Sequence, residues 1–307
     1  MQTSLFDDQN VLKITYQNCL KEFKMREALD TLEKWHVTSA GCSKIEGKIH
    51  AISGLLKLSE QYRRHSLIFL ANIKVNLNEQ NFLLPLFEDR QLLERGISLG
   101  IFSRLQGDAY DFIVPGLHPA EIFIEFNAYD NALSSAKKYL AKMGEHPFIR
   151  QLEGYAYYKM GDEKAARTSF TYALFNDPLM CSGDYMYPVD YKNKIDYLTQ
   201  TMNKKELAWI KFPFDLWMDG KTYIASDAYH YEAYLKEKLR AERSSALLEP
   251  MSNVRYFCRL LYLAEAVRLR SGRKNESEEL IEIRREMQRI NPDLFKRYLG
   301  VLNTFGN

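Results

Sequence analysis

A spaced pattern of small and large residues within residues 150–178 limits what this chain can fold into more than any other feature. The pattern consists of small residues, aromatic rings and a final proline: Gly154, Tyr157, Ala166, Phe170, Ala173 and Pro178. Small residues allow two helices to approach until their axes are roughly 8–10 Å apart, and large residues fill the space towards neighbouring helices. The stretch therefore predicts two antiparallel helices in close contact.

A looser copy of this pattern lies 34 residues upstream. The equivalent positions are Gly154 and Ala120, Tyr157 and Phe123, Ala166 and Ala132, and Pro178 and Gly144. Large and small residues are exchanged at two further positions, where the upstream copy has Ala136 and Tyr139. A fixed period of this length is typical of helical repeat arrays.

The two copies resemble the tetratricopeptide repeat (TPR) family. In that family a glycine and a tyrosine lie on the first helix of a pair, two alanines and a phenylalanine lie on the second, and a proline ends it. Arg150 and Glu153 stand where the family has its leading tryptophan and leucine. The resemblance covers residues 113–178, and the N-terminal segment around Ala28 has a similar form. It implies an α-solenoid of antiparallel helix pairs with a concave binding face.

The resemblance also indicates which residues would face a partner. These inner-face positions are Glu121, Glu125, Gln151 and Tyr155. The TPR clamp that holds chaperone C-termini uses Lys, Asn and Arg on the first helices, so we do not expect that clamp here. We expect instead a protein or peptide partner in an aromatic or polar groove. The alternative is that the tyrosines mainly pack between repeats.

Composition favours helices over strands. The chain has 15 Gly and 9 Pro among 307 residues, which are few for an all-β protein with many turns. The predicted fold class is all-α: an α-solenoid of TPR-like antiparallel helix pairs, with irregular aromatic connectors at residues 180–191 and 211–223. The predicted segments are an N-terminal helical region (1–112), a TPR-like repeat pair (113–182) and a basic C-terminal helical region (183–307).

Charge and cysteine usage indicate the surroundings in which the chain works. A formal net charge of +2 does not suggest a protein that coats nucleic acid. The four cysteines (Cys19, Cys42, Cys181 and Cys258) form no CxxC pair, so they are predicted to be buried thiols in a reducing compartment. We see no secretory signal and no apolar run near the ~18 residues that span a bilayer. We therefore expect a cytoplasmic protein that does not enter membranes.

No constellation of residues predicts catalysis or cofactor binding. The six histidines do not cluster with carboxylates at the spacing of metal ligands. Residues 219–222 read DGKT, like the end of a phosphate-binding loop, but Asp215 stands where that motif has its leading glycine. We therefore expect a non-enzymatic protein with no cofactor and no metal.

The N-terminal residues 2–6, QTSLF, carry the sharpest local motif. They resemble the pentapeptide that binds the bacterial sliding clamp, and this resemblance assigns the contacts to Gln2, Leu5 and Phe6. The alternative is a helix lead-in, with Asp7 or Asp8 as the N-cap residue.

The C-terminal helices carry an excess of positive charge. Residues 255–297 contain eleven Lys and Arg residues against seven Asp and Glu residues. Arg255 and Arg259 lie one helical turn apart, with Tyr262 beyond them, and could hold a phosphate backbone or an acidic partner. The alternative is a solvated helix face with intrahelical pairs such as Glu286–Arg289.

These observations predict a non-enzymatic scaffold or adaptor that binds a peptide or protein through a TPR-like concave surface. The alternative is a nucleic-acid-associated regulatory or accessory protein, which would use the basic C-terminal helices and the clamp-like tail. An enzyme with a site in residues 185–223 is a third hypothesis. The sequence leaves the oligomeric state open.

Overall fold

The computed structural model describes residues 5–39, 42–61, 66–77, 79, 81–105, 109–202, 204–224, 229–246, 249–271 and 277–305. Within these ranges the chain forms α-helices and short 3-10 helices and no β-strand, which confirms the all-α class. A single bridge between Val114 and Leu117 is the only extended pairing among the described residues.

Fifteen α-helices follow one another within the described ranges. In chain order they are α1 Leu5–Lys21, α2 Met25–Thr38, α3 Ser43–Gln61, α4 Ser66–Val75, α5 Arg90–Phe102, α6 Pro119–Glu125, α7 Tyr129–Met143, α8 Pro147–Lys159, α9 Glu163–Asn176, α10 Val189–Thr201, α11 Lys205–Met218, α12 Tyr229–Ala246, α13 Pro250–Ser271, α14 Glu278–Ile290 and α15 Pro292–Phe305. The described 3-10 helices are Asn81–Asp89, Pro178–Met180 and Gly183–Tyr185. Helices that are neighbours in sequence pack together in the pairs α1–α2, α4–α5, α8–α9, α10–α11 and α12–α13.

Several helices begin where the sequence carries a chemical signal for a helix start. Pro119 and Pro147 open α6 and α8, where the missing N–H has no helical partner to lose. Asp162 caps α9 by accepting a hydrogen bond from the backbone N–H of Ala165 at 3.0 Å. Ser277 caps α14 in the same way, through the N–H of Leu280 at 3.2 Å.

The chain forms two compact units, Met1–Ser135 (unit 1) and Ala136–Asn307 (unit 2). Unit 1 has an aliphatic core built from α1 to α6, and a buried ion pair of Lys48 Nζ and Asp89 Oδ2 at 2.6 Å lies within it. The hydroxyl of Tyr16 donates to the same Asp89 oxygen at 3.1 Å, so this buried carboxylate is satisfied. Burial, together with the Asp89 charge, raises the pKa of Tyr16 well above its usual value. The predicted three-segment division stays a prediction.

Unit 2 has a core that is rich in aromatic residues. Helix α13 is buried around most of its circumference between Val254 and Val267, because it packs against α9, α11, α12 and α14. Tyr172, Tyr231 and Tyr262 form a cluster beside it, with ring centres 4.0 Å apart for the first two. All three tyrosines are buried, including Tyr262, which was expected beside an exposed basic patch.

One turn geometry recurs at three helix–helix junctions. Phe23, Asn127 and Gly161 have positive φ angles of 58°, 59° and 87°. In each turn the N–H of this residue donates to the carbonyl three residues earlier, at 3.2, 3.0 and 3.0 Å. The next N–H donates to the carbonyl five residues before it, at 2.8, 2.8 and 3.0 Å. Both bonds together define the Schellman motif, which satisfies the last carbonyls of a helix. Two of these turns are 34 residues apart, as the sequence period requires.

The pair α8–α9 has the close contact that the sequence predicts. A Cβ atom on Gly154 would lie 3.2 Å from the backbone oxygen of Ala166 and 3.3 Å from the ring of Phe170. Glycine at this position therefore lets the two helices touch through their backbones.

Two details of the sequence interpretation are wrong. Residues 211–223 were expected to be an irregular connector, but α11 continues to Met218 with Pro213 inside it. Burial of Phe212, Phe214 and Trp217 against the core stabilises this helix despite the lost backbone hydrogen bond. Cys42 was expected to be buried and is exposed, whereas Cys19 and Cys258 are buried and Cys181 is half-buried; all four are free thiols.

None of the helices in the described part of the chain is long and apolar enough to cross a membrane.

The turn geometry predicts the effect of a substitution at Gly161. A Cβ there would contact nothing within 4 Å, so the cost of Gly161→Ala is conformational. We expect the free energy of unfolding to fall by about 1–2 kcal/mol, the cost of placing an L-residue in the left-handed region. Gly183→Ala is the matched control, because its Cβ also meets open space but its φ is not positive. Urea unfolding of both variants checks this, and equal values for the two would contradict it.

Candidate functional site

The structure places the four predicted partner-facing residues in different settings. Glu121 closes the capping box of α6, because its Oε1 accepts from the backbone N–H of His118 at 2.7 Å. Glu125 lies in unit 1 and pairs with Lys74 at 3.1 Å. The Glu121 side chain thus caps the N-terminus of α6. The Glu125 side chain is the more exposed of the two to solvent.

Gln151 is buried completely, so a partner cannot reach it. Its Nε2 donates to the carbonyl of Ser182 at 2.6 Å, and its Oε1 accepts from the N–H of Ser182 at 2.7 Å. This two-bond contact fixes the connector after α9. Tyr155 is half-buried, with its ring centre 5.7 Å from that of Tyr185 and 5.3 Å from Lys159 Nζ. The placement of Gln151 on a binding face is therefore corrected, because its amide holds an internal loop.

The predicted basic patch is not an exposed surface. Arg259 is fully buried; its Nε donates to the carbonyl of Asn176 at 2.7 Å, and its Nη1 pairs with Glu242. Arg255 is partly covered and lies 3.4 Å from Asp177. The reason is that α13 is buried around most of its circumference, which places Arg259 inside a packed interface and Arg255 at its edge. Glu286 and Arg289 form the predicted intrahelical pair at 2.7 Å.

The clamp-like tail is described only in part. Gln2 lies outside the described residues. The backbone of Leu5 and Phe6 begins α1, and their side chains are also outside what the structure describes. Clamp binding by Gln2, Leu5 and Phe6 stays a prediction.

A groove in unit 1, which the sequence did not indicate, has the features of a binding site. It encloses about 280 Å³ beside the turn between α1 and α2. Its floor is formed by Phe23, Met25, Leu55, Leu56, Phe69, Leu70, Ile73 and Ile97. Its rim is formed by Lys24, Arg26, Glu27 and Ser59. We call these twelve residues the unit-1 groove. An apolar centre with a polar rim is the usual anatomy of a protein–protein contact.

The residue at the edge of this groove has an unusual backbone. Phe23 occupies the left-handed position of its turn, where the two sister turns have Asn127 and Gly161. Asn and Gly adopt this conformation readily, whereas for a bulky residue its conformational free energy is about 1–2 kcal/mol less favourable. The backbone at Phe23 is therefore strained, and the residue held in this strained conformation is the one whose aromatic ring lies at the groove edge.

The ring of Phe23 is held against a glycine on α5. A Cβ on Gly100 would lie 2.8 Å from Phe23 Cδ1, closer than carbon atoms in contact can be, and a tight 3.2 Å from Leu70 Cδ1. The absence of a side chain at Gly100 thus leaves the space in which the ring lies along the groove wall. Packing of this kind gives the ring a defined position instead of leaving it in solvent.

The charged rim is exposed and carries both signs. Lys24 pairs with Glu22 at 2.6 Å, and Arg26 pairs with Glu60 at 2.9 Å. Its hydrogen bond to Glu22 raises the pKa of Lys24, which keeps that ammonium group charged. Exposed pairs of this kind contribute little to stability, so their positions can serve recognition without cost to the fold.

The sequence marks one residue of the groove, Phe23, as unusual for its position. Aligning the three helix turns places Phe23 opposite Asn127 and Gly161, and the phenylalanine is the residue that does not suit the turn. The neighbours Leu55, Phe69 and Ile97 are far from Phe23 in sequence, so only the packing of α2 to α5 could bring them together.

Compared with known proteins, the chain matches no protein-family model, no curated protein and no solved structure. The resemblance to tetratricopeptide repeats stays a prediction.

The position of Arg259 predicts a stability effect. Arg259→Gln removes one partner of a buried pair and leaves the Asn176 carbonyl without its donor, so we expect a loss of about 3 kcal/mol. Arg255→Gln, at the predicted patch but partly exposed, should cost less than about 1 kcal/mol. Urea unfolding measures both values. An unchanged stability of Arg259→Gln would restore the possibility that this guanidinium serves a ligand.

Proposed function

We propose that this protein is a non-enzymatic adaptor that holds an apolar segment of a partner protein in the unit-1 groove. The observation that carries the proposal is Phe23, a bulky residue in a left-handed turn position whose ring lines an apolar groove. Strained backbone persists where the surrounding structure enforces it, and such positions cluster at ligand clamps and other functional sites.

The helix pairs are, in this proposal, TPR-like repeats. Three features support it: the 34-residue spacing of two Schellman turns, the same turn at the N-terminal pair, and the backbone contact at Gly154. Repeat proteins of this kind use the faces of their helices to bind peptides and partner helices.

The chemistry of the groove favours a helical segment as its occupant. Its floor has no titratable side chain among the described residues, so covering the floor with apolar groups of a partner is favourable in free energy. A volume of about 280 Å³ suits a few side chains better than a whole small-molecule ligand, for which pockets of about 300–1,000 Å³ are usual. Large apolar residues at i, i+3 or i+4, and i+7 of an amphipathic helix present such side chains on one face.

The two arginines that suggested nucleic-acid binding do not support it. Arg259 is buried, and Arg255 is engaged with Asp177. The nucleic-acid hypothesis therefore stays a prediction without a described residue that favours it, and we do not develop it as a second function.

A peptide-display selection on the full chain tests the adaptor function. We expect the selected peptides to carry large apolar residues at helical spacing. Synthetic versions should lose at least about tenfold in affinity for Leu56→Glu, which puts a charge on the groove floor. Ile68→Glu is the matched control, because Ile68 is an exposed apolar residue of α4 outside the groove. Fluorescence anisotropy measures the affinities, and equal binding by both variants would overturn the proposal.

Phe23→Gly separates binding from stability. The variant relieves about 1–2 kcal/mol of backbone strain and loses the packing of a half-buried ring. The free energy of unfolding should therefore change by less than about 1 kcal/mol. Peptide affinity should still fall about tenfold, because the groove loses one wall. If affinity stays constant while stability drops, Phe23 has only a structural role.

A further inference from the structure

Unit 2 has a cavity of its own, which has no role in the adaptor function. It encloses about 520 Å³ and is bounded by the end of α11, the segment that follows it, and helices α13, α14 and α15. This volume is within the range of about 300–1,000 Å³ that is usual for small-molecule pockets. The cavity is therefore large enough for a small ligand, and the chemistry of its walls selects the class of ligand.

One wall of the cavity, residues 220–224, is held in place by contacts within unit 2. The backbone N–H of Tyr223 donates to the Thr171 hydroxyl at 3.1 Å. The ammonium group of Lys221 pairs with Asp190 Oδ2 at 3.1 Å. Because this wall is already ordered, a ligand that binds against it causes little further loss of conformational freedom.

A second wall is apolar and partly open to solvent. The Trp217 ring centre lies 5.1 Å from that of Tyr298 and 6.1 Å from that of Phe214, so packing fixes the position of the indole. Leu269 also lines the cavity and is 48% exposed. Covering apolar surface of this kind is favourable in free energy, so the wall suits the apolar body of a ligand.

The polar wall contains a guanidinium group whose hydrogen-bonding capacity is only partly used. Arg268 donates to Glu265 through Nε at 3.1 Å and through Nη2 at 2.6 Å, and Tyr298 donates to the same carboxylate at 3.3 Å. The other amino group of Arg268, Nη1, contacts no acceptor among the described residues. Arg284 also lines the cavity but is engaged, because its Nε donates to the Tyr298 hydroxyl at 3.3 Å. The ligand contact is therefore assigned to Arg268 and not to Arg284.

The pairing of Arg268 with Glu265 determines which charge on a ligand suits this wall. Glu265 is buried, and the Arg268 guanidinium compensates its charge. A carboxylate on the ligand would share this guanidinium with the Glu265 carboxylate, and like charges at one site oppose each other. A carbonyl or hydroxyl oxygen accepts a hydrogen bond from Nη1 without adding a charge. The wall therefore favours an uncharged ligand with an acceptor oxygen.

We propose that this cavity binds a small uncharged organic molecule with an apolar body and a carbonyl or hydroxyl oxygen. The oxygen accepts a hydrogen bond from Arg268 Nη1, and the apolar body covers Trp217 and Leu269. Leu269 and Tyr223 are exposed lining residues, so solvent reaches the cavity on their side.

Tryptophan indole resonances of the ¹⁵N-labelled full chain report binding without any substitution. The probes are 4-phenyl-2-butanone, propylbenzene, which lacks the acceptor oxygen, and 4-phenylbutyrate, which carries a carboxylate in place of the ketone. We expect the ketone to shift the Trp217 signal and leave that of Trp35 unchanged, and the other two probes to bind at least about tenfold more weakly. A Trp217 signal that the ketone does not move would overturn the proposal. So would propylbenzene or 4-phenylbutyrate binding as tightly as the ketone.

Two exposed apolar residues of α13 provide a matched pair of variants. Leu269→Asp puts a charge on the apolar wall and should weaken ketone binding at least about tenfold. Met251→Asp is the control, because Met251 is 40% exposed on the same helix and does not line the cavity. Equal weakening by the two variants would contradict binding at this wall.

The variant Arg268→Lys tests the hydrogen bond itself. It keeps a positive charge beside Glu265 and removes the planar guanidinium fork. The ratio of ketone affinity to propylbenzene affinity should therefore fall towards one, while propylbenzene binding stays unchanged. A ratio equal to that of the unsubstituted chain would contradict the contact with Arg268. Leu56→Glu in the unit-1 groove should leave ketone binding intact, so failure here and failure of the adaptor function are distinguishable.

Discussion

The contact of helix backbones at residues without side chains is the constraint on which both units depend. In unit 1 a Cβ on Gly96 would lie 1.9 Å from the backbone oxygen of Leu20, so α1 and α5 could not keep their separation with any other residue there. In unit 2 Gly154 allows the same kind of approach between α8 and α9. Interiors are close-packed, so a change in the separation of one helix pair would move every side chain that packs on it.

The turns then determine where each helix leads the chain. At three junctions a Schellman turn ends one helix, and the next helix begins after a junction of three residues. At two of these turns the left-handed residue is Asn127 or Gly161, and a positive φ angle costs these residue types little free energy. At the third turn the left-handed residue is Phe23, for which this conformation is costly, and its ring lies beside the unit-1 groove. The same local geometry thus joins consecutive helices in each case and, at Phe23, also shapes a surface.

The charged side chains that are buried in each unit are paired with opposite charges inside the fold. Lys48 and Asp89 neutralise each other in unit 1, and in unit 2 Arg150 bonds with Glu145 and Glu153. Burying an unpaired charge costs several kcal/mol, so charged side chains among apolar helices occur with partners. This rule also explains why the arginines of α13 form internal contacts and do not make a basic face.

Local signals in the sequence account for the all-α class, the proline starts at Pro119 and Pro147, the turn at Gly161 and the small contact residue Gly154. Each depends on the chemistry of a few neighbouring residues: a missing N–H, a missing Cβ or a preferred φ. Exposure of Arg259, Gln151 and Cys42 depended on which distant helices pack around them, and helical periodicity does not contain that information. The unit-1 groove was decided only by tertiary structure, because its walls join helices far apart in the chain.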